Sequence, residues 1–152
     1  MRFWIAGLLV LVSLAVAPPA LANVIEVSLS DLTLTYKGDK YKIAGPRNGV
    51  RKPIGTFTIR RKVEWPSWTP TANMLKKNPR LRPMRGGPNN PLGARALYLY
   101  SGGAPTMYRI HGTNAPSSIG RNASAGCIRM FNKDVIELFN RVPKGTKVII
   151  RA

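Results

Sequence analysis

Residues 109–130 read RIHGTNAPSSIGRNASAGCIRM, and they hold the only histidine and the only cysteine among 152 residues. Met107 to Ile110 alternates like a strand that ends at His111, while Cys127 stands shortly before a helical pattern. Between them, Gly112, Pro116, Gly120 and Gly126 are turn formers, so the chain can double back and bring the imidazole to the thiol. A thiol attacks a carbonyl as the thiolate, and an imidazole within hydrogen-bond reach supplies it by taking the proton. The same imidazole can return that proton to a leaving amine. Gly126 beside the sulfur lets a substrate carbonyl approach backbone N–H groups, as an oxyanion hole requires.

Other readings of this stretch stay open on the residues alone. An unpaired cysteine is a small buried hydrophobe, a link to another molecule, or a working thiol. One His and one Cys with six scattered acids are thin material for a metal centre, so neither metal nor cofactor is expected. Ser124 lacks the Gly-x-Ser-x-Gly surround of a hydrolase elbow, and no glycine-rich phosphate loop is present.

Working outward, Met1-Arg2 is cationic, Ile5 to Val16 is almost wholly apolar, and Ala20-Leu21-Ala22 is a small-x-small sequence. This reads as a signal peptide over residues 1–22, cleaved after Ala22, with the apolar core short of the roughly 20 residues of a membrane span. No later segment is apolar enough to span. Export to a periplasm or cell wall follows, a setting in which small domains favour paired cysteines, so the single Cys127 is buried and inert, linked to another molecule, or a working thiol. Residues 23–152 then form a single domain. With 24 Lys and Arg against 6 Asp and Glu the chain has a formal net charge of +18. That favours polyanions, and export points to anionic wall polymers rather than nucleic acid.

Period-two alternation marks strands at Val24 to Ser30, Leu32 to Tyr36, Tyr41 to Ala44, Thr56 to Arg60, Ala96 to Tyr100 and Thr146 to Arg151. Lys37-Gly38-Asp39-Lys40 supplies a hairpin turn. Between Glu64 and Ala94 the prolines 66, 70, 79, 83, 88 and 91 break regular structure, leaving a long ordered loop with a short helix near Thr71 to Lys77. Trp65 and Trp68 suit packing anchors for that loop, or substrate contacts. Asn132 reads as a helix N-cap with Asp134 in the first turn, and Val135, Leu138, Phe139 and Val142 form one apolar face before Pro143. The expected fold is mainly β with one clear helix after the cysteine.

Ile110-His111-Gly112-Thr113-Asn114, Ser118-Ile119-Gly120 and Ser124-Ala125-Gly126-Cys127-Ile128-Arg129-Met130 together resemble the signature of the YkuD-type L,D-transpeptidase catalytic domain. Gly86-Gly87-Pro88-Asn89-Asn90-Pro91-Leu92-Gly93, Pro53-Ile54-Gly55-Thr56-Phe57 and Gly145-Thr146-Lys147-Val148 extend the likeness over nearly all of residues 23–152. The resemblance implies packed mixed β-sheets and action on peptidoglycan stem peptides. Cys127 would attack the carbonyl between the third residue and the D-Ala at position four, releasing D-Ala and leaving a thioester. An amine of a second stem would resolve it to a 3→3 cross-link in wall biogenesis, and carbapenems would acylate the same thiol. His111 would be the proton acceptor and donor. Backbone N–H groups around Ala125, Gly126 and Cys127 would hold the oxyanion, Ser124 would orient His111 through its carbonyl, and Gly112 and Arg129 would line the substrate. The family commonly has His where this chain has Ala125, and Thr where it has Lys52. Water or a protein as acceptor would make the chain a carboxypeptidase or a protein-attaching enzyme, and a non-catalytic wall-binding module is the reading of a different class.

Overall fold

Alternation of apolar and polar side chains turns one row of each strand inward. In the computed structural model, which describes residues 23–152, Ile25 and Val27 of β1 (Val24–Ser28) and Leu34 and Tyr36 of β2 (Thr33–Tyr36) are the buried rows. The signal-peptide reading concerns residues 1–22 and lies outside the described residues. Lys37 and Gly38, at φ 48° and 87°, make a two-residue turn that pairs Tyr36 with Asp39 and opens β3 (Asp39–Pro46). Positive φ at both positions matches the right-handed twist of the flanking strands.

The remaining strands are β4 (Gly55–Glu64), β5 (Arg95–Ser101), β6 (Ala104–His111), β7 (Asn122–Ser124), β8 (Ile128–Met130) and β9 (Lys147–Arg151). They lie in the order β2-β1-β9-β4-β5-β6-β8-β3-β7, and β2 pairs with β3 as well. Eight strands therefore close on themselves, with β7 attached outside the ring along β3. The expected packed mixed sheets are one mixed sheet rolled into a barrel, in which β1–β9 and β6–β8 run parallel. Closure removes free edges, and an eight-stranded barrel is just wide enough to be filled by side chains. Ile25, Leu34, Ile43, Ile59, Leu97, Ile110 and Ile128 fill it, each fully shielded from solvent.

Helix α2 (Asn132–Arg141) adds Val135, Leu138 and Phe139 to that core, the face its periodicity predicts. Tyr41 of β3 ties it down by donating from Oη to Glu137 at 2.8 Å. Lys62 of β4 donates to the carbonyls of Phe139 and Val142 at 2.6 and 2.7 Å, placing a cation on the negative end of the helix. The predicted cap is different, however. Phe131 holds the N-cap position without any side-chain cap, and Asn132 is the first helical residue, its amide used elsewhere.

Between β4 and β5 the proline-rich segment is ordered as expected. A short helix, α1 (Ala72–Lys77), is capped by Thr71 Oγ1 accepting from Met74 N–H, and Trp68 bridges to Met84. Asn90, 1 % exposed, fastens the segment by donating from Nδ2 to the carbonyls of Pro66 and Arg85 and accepting from Leu92 N–H. Trp68 is half-buried, as an anchor should be, whereas Trp65 is 44 % exposed with φ at 43°.

Candidate active site

Two strands that the sequence does not announce, β7 and β8, decide the geometry of the site. Strand β8 runs parallel to β6 with Ile110 opposite Ile128 and His111 opposite Arg129. Ile110, Ile128 and Met130 point into the barrel, so the alternate residues Arg109, His111 and Arg129 share its outer face, and Cys127 immediately precedes β8. Two rows of side chains cross the strands there. One runs from Arg61 through Tyr98 to Arg109, the other from Val63 through Ala96 and His111 to Arg129 and Ala44. Cys127 lies two residues before Arg129, the partner of His111, and the Arg109 side chain reaches its thiol.

The imidazole is buried at 4 % exposure, and its Nδ1 lies 2.6 Å from the Gly112 carbonyl oxygen. A carbonyl only accepts, so Nδ1 carries the hydrogen and Nε2 keeps its lone pair in the neutral ring. Burial drives the His111 pKa down to about 4, the Gly112 carbonyl opposes this, and the Arg129 and Arg109 charges push it lower. The thiol is also neutral at rest. It donates to the Met107 carbonyl at 3.6 Å, and burial raises its pKa while the Arg109 charge and hydrogen bonds resist. Both groups are thus held in their neutral forms.

Ser124 has a different place from the one the resemblance implies. The carbonyl on the His111 ring is that of Gly112, while the Ser124 carbonyl accepts from Arg47 N–H at 3.0 Å. The Ser124 hydroxyl instead donates to the Cys127 carbonyl at 2.5 Å and accepts from Gly126 N–H at 3.2 Å. It staples the turn that presents the sulfur. Gly126 itself has φ of 134°, a conformation open in practice to glycine alone. Ala125 is exposed, with its side chain free of any described hydrogen bond.

Asn132 and Leu92 are the residues that the sequence reading missed. Asn132 Oδ1 accepts from both Ala94 and Thr113 N–H at 3.1 Å, and its Nδ2 donates to the Thr113 carbonyl at 3.0 Å. This bolts the end of the proline-rich segment to the chain just past His111. A β-carbon on Gly93 or Gly112 would overlap Asn132 Oδ1, which accounts for both glycines. Leu92, buried by this arrangement, brings its carbonyl against the imidazole. The motif Gly86 to Gly93 contained the signal, but nothing in it pointed to His111.

Among the described residues no three His, Cys, Asp or Glu side chains cluster as metal ligands, and no helix is long and apolar enough to cross a membrane. The chain is 45 % identical over 94 residues to an L,D-transpeptidase encoded in the ATP synthase subunits region of Fuscovulum blasticum, covering 62 % of this chain and 48 % of that protein. It is 36 % identical over 145 residues to the L,D-transpeptidase YbiS of Escherichia coli K12, covering 88 % and 46 %. The chain thus spans about half the length of these curated relatives. Among solved structures, L,D-transpeptidase 3 of Mycobacterium tuberculosis superposes with a TM-score of 0.64 at 18 % identity, over 85 % of this chain and 60 % of that one. The catalytic domain of the Enterococcus faecium enzyme gives 0.61 at 23 % identity, over 84 % and 95 %. At such identities these two speak for the fold alone. The model of the YkuD L,D-transpeptidase catalytic domain matches residues 22–150, and the chain belongs to that family.

Proposed function

We propose that this protein is an exported cysteine acyltransferase that acts on peptidoglycan stem peptides as an L,D-transpeptidase. The observation that supports it is the parallel pairing of β6 with β8, which puts His111 opposite Arg129, two residues past Cys127, with Nδ1 held by Gly112. Cys127 Sγ leaves the Met107 carbonyl, passes its proton to Nε2 of His111 and bonds to the carbonyl carbon of the third stem residue. The developing oxyanion takes backbone N–H groups of the Gly126–Cys127 turn. The imidazolium formed is a strong acid, because its surroundings hold its pKa near 4. It therefore protonates the departing D-Ala nitrogen readily as the C–N bond breaks. A thioester remains. The amine of a second stem attacks it, His111 takes the amine proton and returns it to sulfur, and a 3→3 cross-link is released.

Incubating the protein with a purified disaccharide-tetrapeptide and weighing the products tests this reading. A dimer that has lost one D-Ala is the expected product. Tripeptide alone would reassign water as acceptor, and unchanged donor would sink the acyltransferase reading in favour of a wall-binding module. Cys127→Ala should abolish D-Ala release and covalent labelling by a carbapenem while leaving binding to sacculi in place.

A further inference from the structure

Arg109 stands one residue before Ile110, the partner of Ile128, and its side chain on the outer face reaches the Cys127 thiol. Its guanidinium is stacked over Tyr98 at 5.0 Å, beside Arg61 over the same ring at 4.7 Å. Stacking of this kind fixes the plane of the fork before any ligand arrives. Yet the fork lacks an anion. Nε of Arg109 and Nε of Arg129 are both buried without a hydrogen-bond partner, and the ion pairs among the described residues involve Arg95, Arg141 and Arg151 instead. The charge on Arg129 is further disfavoured by burial and by nearby Arg47. Two part-buried guanidiniums, each with an unpartnered Nε and no acidic partner among the described residues, beside a nucleophile, form an anion site in want of its ligand.

We propose that Arg109, assisted by Arg129, binds the free α-carboxylate of the leaving residue and thereby selects acyl donors that end one residue beyond the attacked carbonyl. This rests on the acyl-transfer reading of Cys127. With the scissile carbonyl carbon on Sγ, the carboxylate of a single leaving residue lies one residue's reach away, about 3.5 Å along the chain. A carboxylate offers the two acceptor oxygens that a guanidinium fork fits. A donor longer by one residue presents a neutral amide at that place and moves its carboxylate a further residue out. Arg109 touches the substrate in this scheme but forms no bond to it, and its charge also favours the thiolate as the proton departs.

Two tetrapeptide stems that differ only at the end, one closing in D-Ala acid and one in D-Ala amide, test the contact. The protein should process the acid at least tenfold faster in kcat/KM. Arg109→Gln should erase that preference by lowering the acid rate at least tenfold more than the amide rate, and Arg109→Lys should restore part of it. A uniform loss on both donors would show a merely structural arginine and overturn the proposal. Calorimetry of the same peptides on Cys127→Ala protein measures the contact without chemistry. Tighter binding of the acid, lost when Arg109→Gln is added, supports the site even if no donor turns over, an outcome that would sink the acyl-transfer reading alone. Equal binding of acid and amide overturns the carboxylate site whatever the turnover.

Discussion

Asn132 commits its whole amide to backbone groups that are remote in sequence, accepting from Ala94 and Thr113 and donating to Thr113. Asn132→Ala strands two N–H donors and one carbonyl in a part-buried seam, so a loss of about 2–3 kcal/mol is expected. Chemical denaturation checks it. Acylation should fall as well, since the seam holds the strand end that carries His111. The imidazole makes a separate prediction. Its folded pKa of about 4 lies below the ordinary 6.5, so the unfolded chain binds more protons between these values. The stability from keeping it neutral is therefore complete above pH 6.5 and is lost as pH falls towards 4, up to about 3 kcal/mol. Unfolding titrations at pH 7.5 and 4.5 should show that loss, and His111→Gln should reduce it. The acid limb of the acylation rate should fall near pH 4, and a midpoint at 6.5 would refute the buried neutral base. His111 and Cys127 were legible as candidates because each residue type occurs once. Asn132 was misread as a cap because its partners are main-chain atoms 19 and 38 residues away, which no local pattern reveals.

Helix α2 was readable in type, face and end because ten residues of 3.6-fold periodicity outweigh local ambiguity. The long strands were legible for the equivalent reason at period two. Strands β7 and β8 were not, since three residues each give alternation too little length to register. They form because β3 and β6 offer them ladders, a tertiary cause. The cost of that blindness is specific: a turn-back between His111 and Cys127 could be expected, but not the parallel register that sets His111 opposite Arg129, two residues past Cys127. At this scale Lys62 is the informative side chain. Its ammonium satisfies two carbonyls at the end of α2 and lies 4.4 Å from the centre of the Phe139 ring, while burial lowers its pKa. Lys62→Met keeps the aliphatic stem and removes the cap. It should cost about 1–2 kcal/mol after allowance for partial exposure, with amide exchange rising first at Phe139 to Val142. Exchange rising equally across β1 and β2 would mean that the helix end is not what Lys62 holds.

Over the whole molecule, β9 sits between β1 and β4, so the last strand of the chain closes the barrel begun by the first. The outside of that barrel carries an uneven charge. Glu26, Asp39, Glu64 and Glu137 are engaged by Arg151, Arg141 and Arg95, leaving most of the Lys and Arg without an acidic partner among the described residues. Lys76, Lys77, Arg80, Arg82 and Arg85 crowd one exposed stretch of the proline-rich segment. Mutual repulsion there is tolerated because water and salt screen it, and an anionic polymer would relieve it further. Binding to sacculi bearing anionic polymer should therefore weaken steeply as salt rises from 0.05 to 0.5 M, where the screening length drops to a few ångströms, roughly 4 Å. Release of D-Ala from a short soluble donor depends on contacts within the site and should change far less. Replacing the five cations of residues 76–85 with Gln should flatten the salt dependence of sacculus binding while leaving the soluble-donor rate in place. If sacculus binding and the soluble-donor rate instead fall together with salt, or the Gln variant binds sacculi as tightly as before, the charge of this segment has no part in bringing the barrel to its substrate.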